Sequence, residues 1–144
     1  MKRLGIGICC ALLCGAASAQ VPSEFAVIDA KLEACLAKAN GVTTAVGACS
    51  EQAEASADSI LNRIYGDWVA QLKRPSKYEA ADNAEILKRL IASERAWITY
   101  RDTSCSLAST SMLGGTGEGI VYVDCLYVKT KQRVLDLQSI RDSR

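Results

Sequence analysis

The sequence predicts an all-α domain, a small four-helix arrangement of two helical hairpins that are each closed by a disulfide. Apolar residues recur at intervals of three and four through most of the chain beyond residue 20, which is the period of amphipathic helices. Glycine and proline interrupt this pattern at three places and divide it into four segments. Cys35 and Cys49 flank the first interruption, and Cys105 and Cys125 flank the third.

Residues 1–19 have the pattern of a signal peptide: a basic start, an apolar segment over 4–15 and a small-x-small site that ends at Ala19. We expect cleavage after Ala19, export to the periplasm and a folded domain over residues 20–144. A bulky leucine stands before Cys14 where lipid-attachment sites generally need a small residue, so a lipoprotein is not expected. No later stretch is apolar over about twenty residues, so we expect no membrane span in the mature chain.

Export also determines how the cysteines are interpreted. Three of the seven leave with the signal peptide, and the four that remain predict two disulfides in an oxidising compartment. Pairing within each hairpin, Cys35 with Cys49 and Cys105 with Cys125, gives the simplest architecture. The crossed pairings are the alternatives: Cys35–Cys105 with Cys49–Cys125, and Cys35–Cys125 with Cys49–Cys105.

The chain is nearly neutral, with 17 basic and 16 acidic residues and a formal net charge of +1. Loss of Lys2 and Arg3 with the signal peptide lowers the basic count from 17 to 15, which leaves a net charge of −1. This balance gives no electrostatic basis for binding nucleic acid or an anionic membrane surface. We therefore expect neither as a partner.

The first predicted helix begins at Pro22-Ser23, with Ser23 as its N-cap, and ends at Asn40-Gly41 by a left-handed C-cap. Thr43 or Thr44 caps the second predicted helix, and Pro75 ends it. The inward face of the first reads Phe25, Ile28, Leu32, Cys35, Leu36 and Ala39. That of the second reads Val46, Cys49, Ala53, Ala57, Ile60, Leu61, Ile64, Tyr65, Trp68 and Leu72.

The third predicted helix starts at a capping box over residues 76–79 or at the competing cap Asp82, and it ends near 109–111. The fourth covers about 120–140. The apolar pattern of the third reads Ala84, Leu87, Leu90, Ile91, Ala96, Trp97 and Ile98. That of the fourth reads Val121, Cys125, Val128, Val134 and Leu137.

The residue types present in the chain give little support for a catalytic function. The chain has no histidine, which excludes histidine-based triads, the commonest zinc sites and an imidazole general base. The four remaining thiols lack the Cys-x-x-Cys spacing of a metal site, and the acidic residues form no motif of an acid/base pair. We expect neither an enzyme nor a bound cofactor or metal.

The glycine-rich segment between the third and fourth helices comprises Gly114, Gly115, Thr116, Gly117, Glu118 and Gly119. It lacks the lysine and the preceding strand of a phosphate-binding loop. One interpretation is a flexible connector. The other is a partner-binding loop, in which small residues permit close backbone approach while Thr116 and Glu118 supply polar contacts.

A stripe of polar and aromatic residues on the third helix carries the most specific pattern, Trp97-x-x-Tyr100-Arg101-Asp102-x-x-Cys105. Cys125, Thr130-x-x-Arg133 and Leu137 follow it after the glycine-rich segment, and Asp58-x-x-Leu61-Asn62-x-x-Tyr65 precedes it. In this order and spacing, over nearly the whole mature chain, the sequence resembles the LprI-type lysozyme-inhibitor family of small exported helical domains. Glu94 departs from the pattern, since such proteins often have glutamine there.

The resemblance implies a hydrogen-bonded structural network, because polar groups on several helices are buried only with partners. Its predicted members are Asp58, Asn62, Tyr65, Trp97, Arg101, Asp102, Thr130 and Arg133.

For function, the resemblance implies an exported protein-binding domain that inhibits lysozyme. From its small residues, we expect the segment 114–119 to be the binding loop that enters and blocks the active-site cleft. The alternative is an immunity protein or an envelope-stress or assembly protein that binds another envelope partner. A nearly neutral chain counts against electrostatic steering toward a cationic muramidase. In favour of inhibition, binding needs only a rigid scaffold that presents a loop.

Overall fold

The computed structural model describes residues 20–74 and 80–144. Within these ranges it contains helices and no strand, which confirms the predicted all-α class and the four helices. The helices are α1 (Gln20–Ala39), α2 (Thr43–Leu72), α3 (Ala80–Ser109) and α4 (Glu118–Asp142), with a 3₁₀ turn over Thr110–Met112. The predicted signal peptide, its cleavage site and the predicted capping box at 76–79 lie outside the described residues.

The helix ends agree with the sequence where the backbone itself is constrained. Asn40 and Gly41 have φ angles of 47° and 78°, so α1 ends in the predicted left-handed turn. The predicted side-chain caps of α1 and α2 and the alternative cap of α3 were wrong. Ser23 lies in the first turn of α1, and the N-cap of α2 is Val42, with no side-chain cap hydrogen bond. Asp82 lies in the first turn of α3.

Both disulfides join neighbouring helices of one hairpin, as predicted. Cys35 pairs with Cys49 and Cys105 with Cys125, at Cα–Cα distances of 5.7 and 5.4 Å. Each hairpin is antiparallel, and α2 runs parallel to α4, since Gly47 lies close to Ile120 near the start of both helices. Both turns and both disulfides therefore lie at one end of the molecule, which we call the turn end.

The core is built around α2 and α4, which make the most extensive contact of any helix pair. Helix α1 packs on α2, α3 packs on α4, and α2 and α3 contact each other only sparsely. Twelve buried residues form the core cluster: Phe25, Ala53, Ala57, Ile60, Leu61, Ile64, Trp68, Leu72, Leu90, Tyr127, Val134 and Leu137. Only Leu90 comes from α3.

The predicted inward faces of α1, α3 and α4 were wrong in part. Five of the predicted residues are exposed: Leu36, Ala84, Ala96, Ile98 at 42% and Val128 at 63%. For α3, the reason is that it turns polar groups toward the core, among them Glu94, so its apolar pattern does not identify the buried face.

Asp29 joins α1 to α4. Its carboxylate accepts hydrogen bonds from the Tyr127 hydroxyl and from Lys131 Nζ, the latter at 2.6 Å. The bond from Lys131 and then that from Tyr127 lower the pKa of Asp29 below its usual value of 3.8. Burial and the neighbouring carboxylate raise the pKa of Tyr127.

We expect Asp29→Asn to lower the free energy of unfolding at pH 7 by roughly 1 kcal/mol, because it weakens two charge-assisted hydrogen bonds at a half-exposed site. A carboxyl with a depressed pKa stabilises the fold above its unfolded pKa, and this contribution is lost as pH falls through the folded value. In urea titrations, the free energies of unfolding of the wild type and of Asp29→Asn should therefore differ at neutral pH and converge below pH 3.8. Asp67→Asn, at an exposed position, is the control; an equal effect there would contradict the prediction.

Candidate functional site

Arg101 lies at the centre of a polar cluster that joins α2, α3 and α4. Its guanidinium donates to Asp102 Oδ1 at 2.9 Å and to Thr130 Oγ1 at 3.4 Å, and it lies 3.8 Å from Asp58 Oδ1. Asn62 Nδ2 donates to the other oxygen of Asp58 at 2.7 Å. Five of the predicted network residues are thus in one contact group around a side chain that is only 14% exposed.

Arg133, one turn after Thr130 on α4, belongs to a second polar group. Its Nε and Nη2 donate to Glu94 Oε2 at 3.0 and 2.9 Å, and Nη2 also donates to Ser93 Oγ at 2.8 Å. Arg133 and Glu94 are both buried. The predicted network did not contain Glu94 or Ser93. The signal for Glu94 was its position three residues before Trp97 on the same helical stripe.

Trp97 connects the two polar groups. The guanidinium carbons of Arg101 and Arg133 lie over its ring, 5.0 and 5.7 Å from the centroid. At these distances each cation is attracted by the ring quadrupole. Tyr65 packs half-buried against the core and lines a cleft together with Asn62 and Trp97. We interpret these groups as the polar part of the core, which sets the spacing of α2, α3 and α4.

The α3–α4 turn is shorter than its six-residue glycine-rich sequence implies. Glu118 and Gly119 belong to α4, and the Glu118 carboxylate accepts the Gly114 N–H at 2.9 Å. Gly114 has φ 73°, a conformation that favours glycine. Glu118 is therefore engaged inside the turn, whereas Thr116 is exposed.

Two exposed apolar side chains project from the same turn. Met112 is 53% exposed and Leu113 is 74% exposed. They were not among the predicted binding residues, because the glycine-rich segment begins after them, at Gly114. With Thr116 they form the tip of the turn, which we call the turn tip.

Charge is distributed unevenly along the molecule. Segments 39–62 and 102–128, which lie nearest the turn end, contain no lysine or arginine. They carry six acidic residues: Glu51, Glu54, Asp58, Asp102, Glu118 and Asp124. Lys38, in the last turn of α1, is a basic residue of the turn end, while basic residues such as Arg89, Arg141 and Arg144 lie toward the opposite end. A nearly neutral chain therefore folds into a domain with an acidic turn end.

Over residues 20–74 and 80–144, no helix has an apolar stretch long enough to cross a membrane.

Comparison with known proteins identifies similar sequences. The family model described as lysozyme inhibitor LprI matches residues 35–137, which includes both disulfides and both polar groups. An uncharacterized protein of Rhizobium meliloti (strain 1021) is 34% identical over 99 residues, which is 66% of this chain and 70% of that protein. No solved structure matches the chain significantly.

Proposed function

Because the chain belongs to the LprI lysozyme-inhibitor family, we propose that it is an exported protein-binding domain that inhibits a lysozyme by occupying the enzyme's substrate cleft. The turn tip enters the cleft, and the acidic turn end faces the enzyme around it. Such an inhibitor needs no catalytic group, only a rigid scaffold and a complementary surface.

The observation that carries this proposal is the acidic turn end. The six acidic residues of segments 39–62 and 102–128 lie in the half of the molecule that carries the turn tip, although the whole chain is close to neutral. Complementary charge raises the rate of encounter and fixes the orientation of binding, and both depend on the local field near the contact. A cationic muramidase would approach this end first.

The structure of the turn also supports the proposal. Hydrogen bonds within the turn, from Gly115 N–H to Met112 O at 2.8 Å and from Gly114 N–H to Glu118, hold its backbone. The disulfide Cys105–Cys125 ties together the helices on either side of it. A segment that is ordered before binding loses less conformational entropy on binding.

We expect the oxidised mature protein, residues 20–144, to inhibit an animal-type lysozyme in a dose-dependent manner and to bind it with saturation in calorimetry. Thr116→Arg should weaken binding by at least about tenfold, because it adds bulk and a like charge at the turn tip. Lysis of a cell-wall suspension and the calorimetric Kd are the measurements.

Ser139→Arg is the matched control, since it makes a similar change at an exposed position near the other end of α4. Its Kd should equal that of the wild type. Equal weakening by both variants would contradict the role of the turn tip. No binding by the wild type at micromolar concentration would remove lysozyme as the partner and favour an immunity or envelope-assembly role.

A further inference from the structure

A groove runs along the face of α2 that is turned away from α1. Its residues on α2 follow at intervals of three and four: Thr44, Gly47, Glu51, Glu54, Asp58, Asn62 and Tyr65. Two cavities open along it, one against α4 near the turn and one against α3 farther along. From Thr44 to Tyr65 it extends for about 30 Å. We call it the α2 groove.

The section of the α2 groove next to the turn is apolar. Small residues of α2, Gly47 and Ala48, face Ile120 and Val123 of α4 across a cavity of about 660 Å³. Thr116 lines the same cavity, so this section is continuous with the turn tip. It has room for an apolar side chain of a partner.

The middle section of the α2 groove has an excess of negative charge. Three carboxylates, those of Glu54, Asp58 and Asp102, act on the single guanidinium of Arg101, and Glu51 stands exposed one turn before them. Burial, and then the charge of Asp58, raise the pKa of Glu54 against the opposing effect of Arg101. A cation placed in this section would relieve that repulsion.

The section of the α2 groove farthest from the turn is less acidic. A second cavity of about 430 Å³ lies between Asn62 and Tyr65 of α2 and Ile98 of α3, and Arg95 lines it as well. On the groove stripe of α2 the acidic side chains end at Asp58, and Asn62 and Tyr65 continue the stripe. The negative part of the groove is therefore the half nearest the turn.

We infer that the half of the α2 groove nearest the turn binds a basic surface segment of the muramidase, with lysine or arginine side chains against Glu51 and Glu54 and an apolar side chain beside Ala48. The inference rests on the proposed function and specifies the chemistry of its contact surface. The enzyme is thus held by two adjoining elements, the turn tip in its cleft and the groove against its basic rim.

Two pairs of variants test this inference in calorimetric titrations with animal-type lysozyme. Glu51→Lys reverses a charge in the groove, and Glu33→Lys makes the identical change at an exposed position of α1. Ala48→Trp fills the apolar section, and Ala37→Trp places the same ring on exposed α1. Because each pair has the same net charge, any difference within it comes from position.

We expect Glu51→Lys and Ala48→Trp each to raise Kd about tenfold, and the two α1 controls to change it less than about twofold. Glu51→Lys should also reduce the dependence of Kd on salt concentration. If wild type binds and each groove variant matches its control, the groove is not a contact surface while the proposed function stands. If the wild type does not bind lysozyme, that result contradicts both the proposed function and the inference about the groove.

Discussion

Replacing Arg133 with methionine is expected to lower the free energy of unfolding by about 3–5 kcal/mol, because it leaves the buried carboxylate of Glu94 without its cation. Arg133 and Glu94 are 8% and 9% exposed, and two of the Arg133 nitrogens donate to one Glu94 oxygen. The change also removes the hydrogen bond to Ser93 and the cation over Trp97. Chemical denaturation followed by circular dichroism measures the loss.

The exposed ion pair of α3 provides the control for this prediction. Arg89 and Glu85 have side chains that are 79% and 50% exposed and lie one turn apart. Arg89→Met should cost at most about 0.5 kcal/mol, since exposed helical pairs contribute little. Similar losses for both arginine variants would show that burial of the Glu94–Arg133 pair is unimportant.

A double variant separates the cost of leaving the Glu94 carboxylate unpaired from the cost of lost packing around Trp97. Replacing both partners, Glu94→Leu with Arg133→Met, removes the buried charge and should recover much of the stability lost in the single variant. A double variant that is as unstable as the single one would place the loss in packing around Trp97 instead of in the stranded carboxylate.

Removing the disulfide Cys105–Cys125 by a double alanine substitution is expected to lower the free energy of unfolding by at least about 3 kcal/mol, mainly because the unfolded chain gains freedom. The two cysteines are 20 residues apart, and Cys105 is fully buried, so packing is lost as well. Denaturant titration of the oxidised proteins measures the difference.

The other disulfide serves as an internal comparison. Cys35 and Cys49 are 14 residues apart, which predicts an entropic contribution within a few tenths of a kcal/mol of the first. Like the first, this disulfide joins a buried cysteine, Cys49, to a partly buried one, so its double alanine variant should lose a similar free energy of unfolding. A loss below about 1 kcal/mol for the Cys105–Cys125 variant would contradict the stabilising role of this cross-link.

Local chemistry explains why part of the fold could be predicted. The left-handed turn at Asn40-Gly41, the four helical segments and the pairing of each cysteine with its partner across one turn depend on residues close in sequence. Side-chain caps were predicted less well, because several polar residues near each helix start compete and small shifts in the boundary change which one is used.

The candidate site could be predicted only in outline. The family resemblance predicted that Arg101, Asp58 and Thr130 share a polar network, yet the pairing of Arg133 with Glu94 was missed. A sequence indicates that a buried cation needs an anion and does not show which carboxylate lies within reach. Leu113 was missed for a related reason, since exposure depends on how the turn folds back.

By itself, then, the sequence determined the helical class, the two hairpins and the polar composition of the third helix, because helical period, turn residues and cysteine spacing act over short distances. Only the tertiary structure decided where the charges lie. The net charge of the whole chain is nearly zero and argued against attraction to a cationic enzyme. Parallel packing of α2 on α4 places segments 39–62 and 102–128 side by side, so residues far apart in sequence combine into one acidic end beside the turn tip.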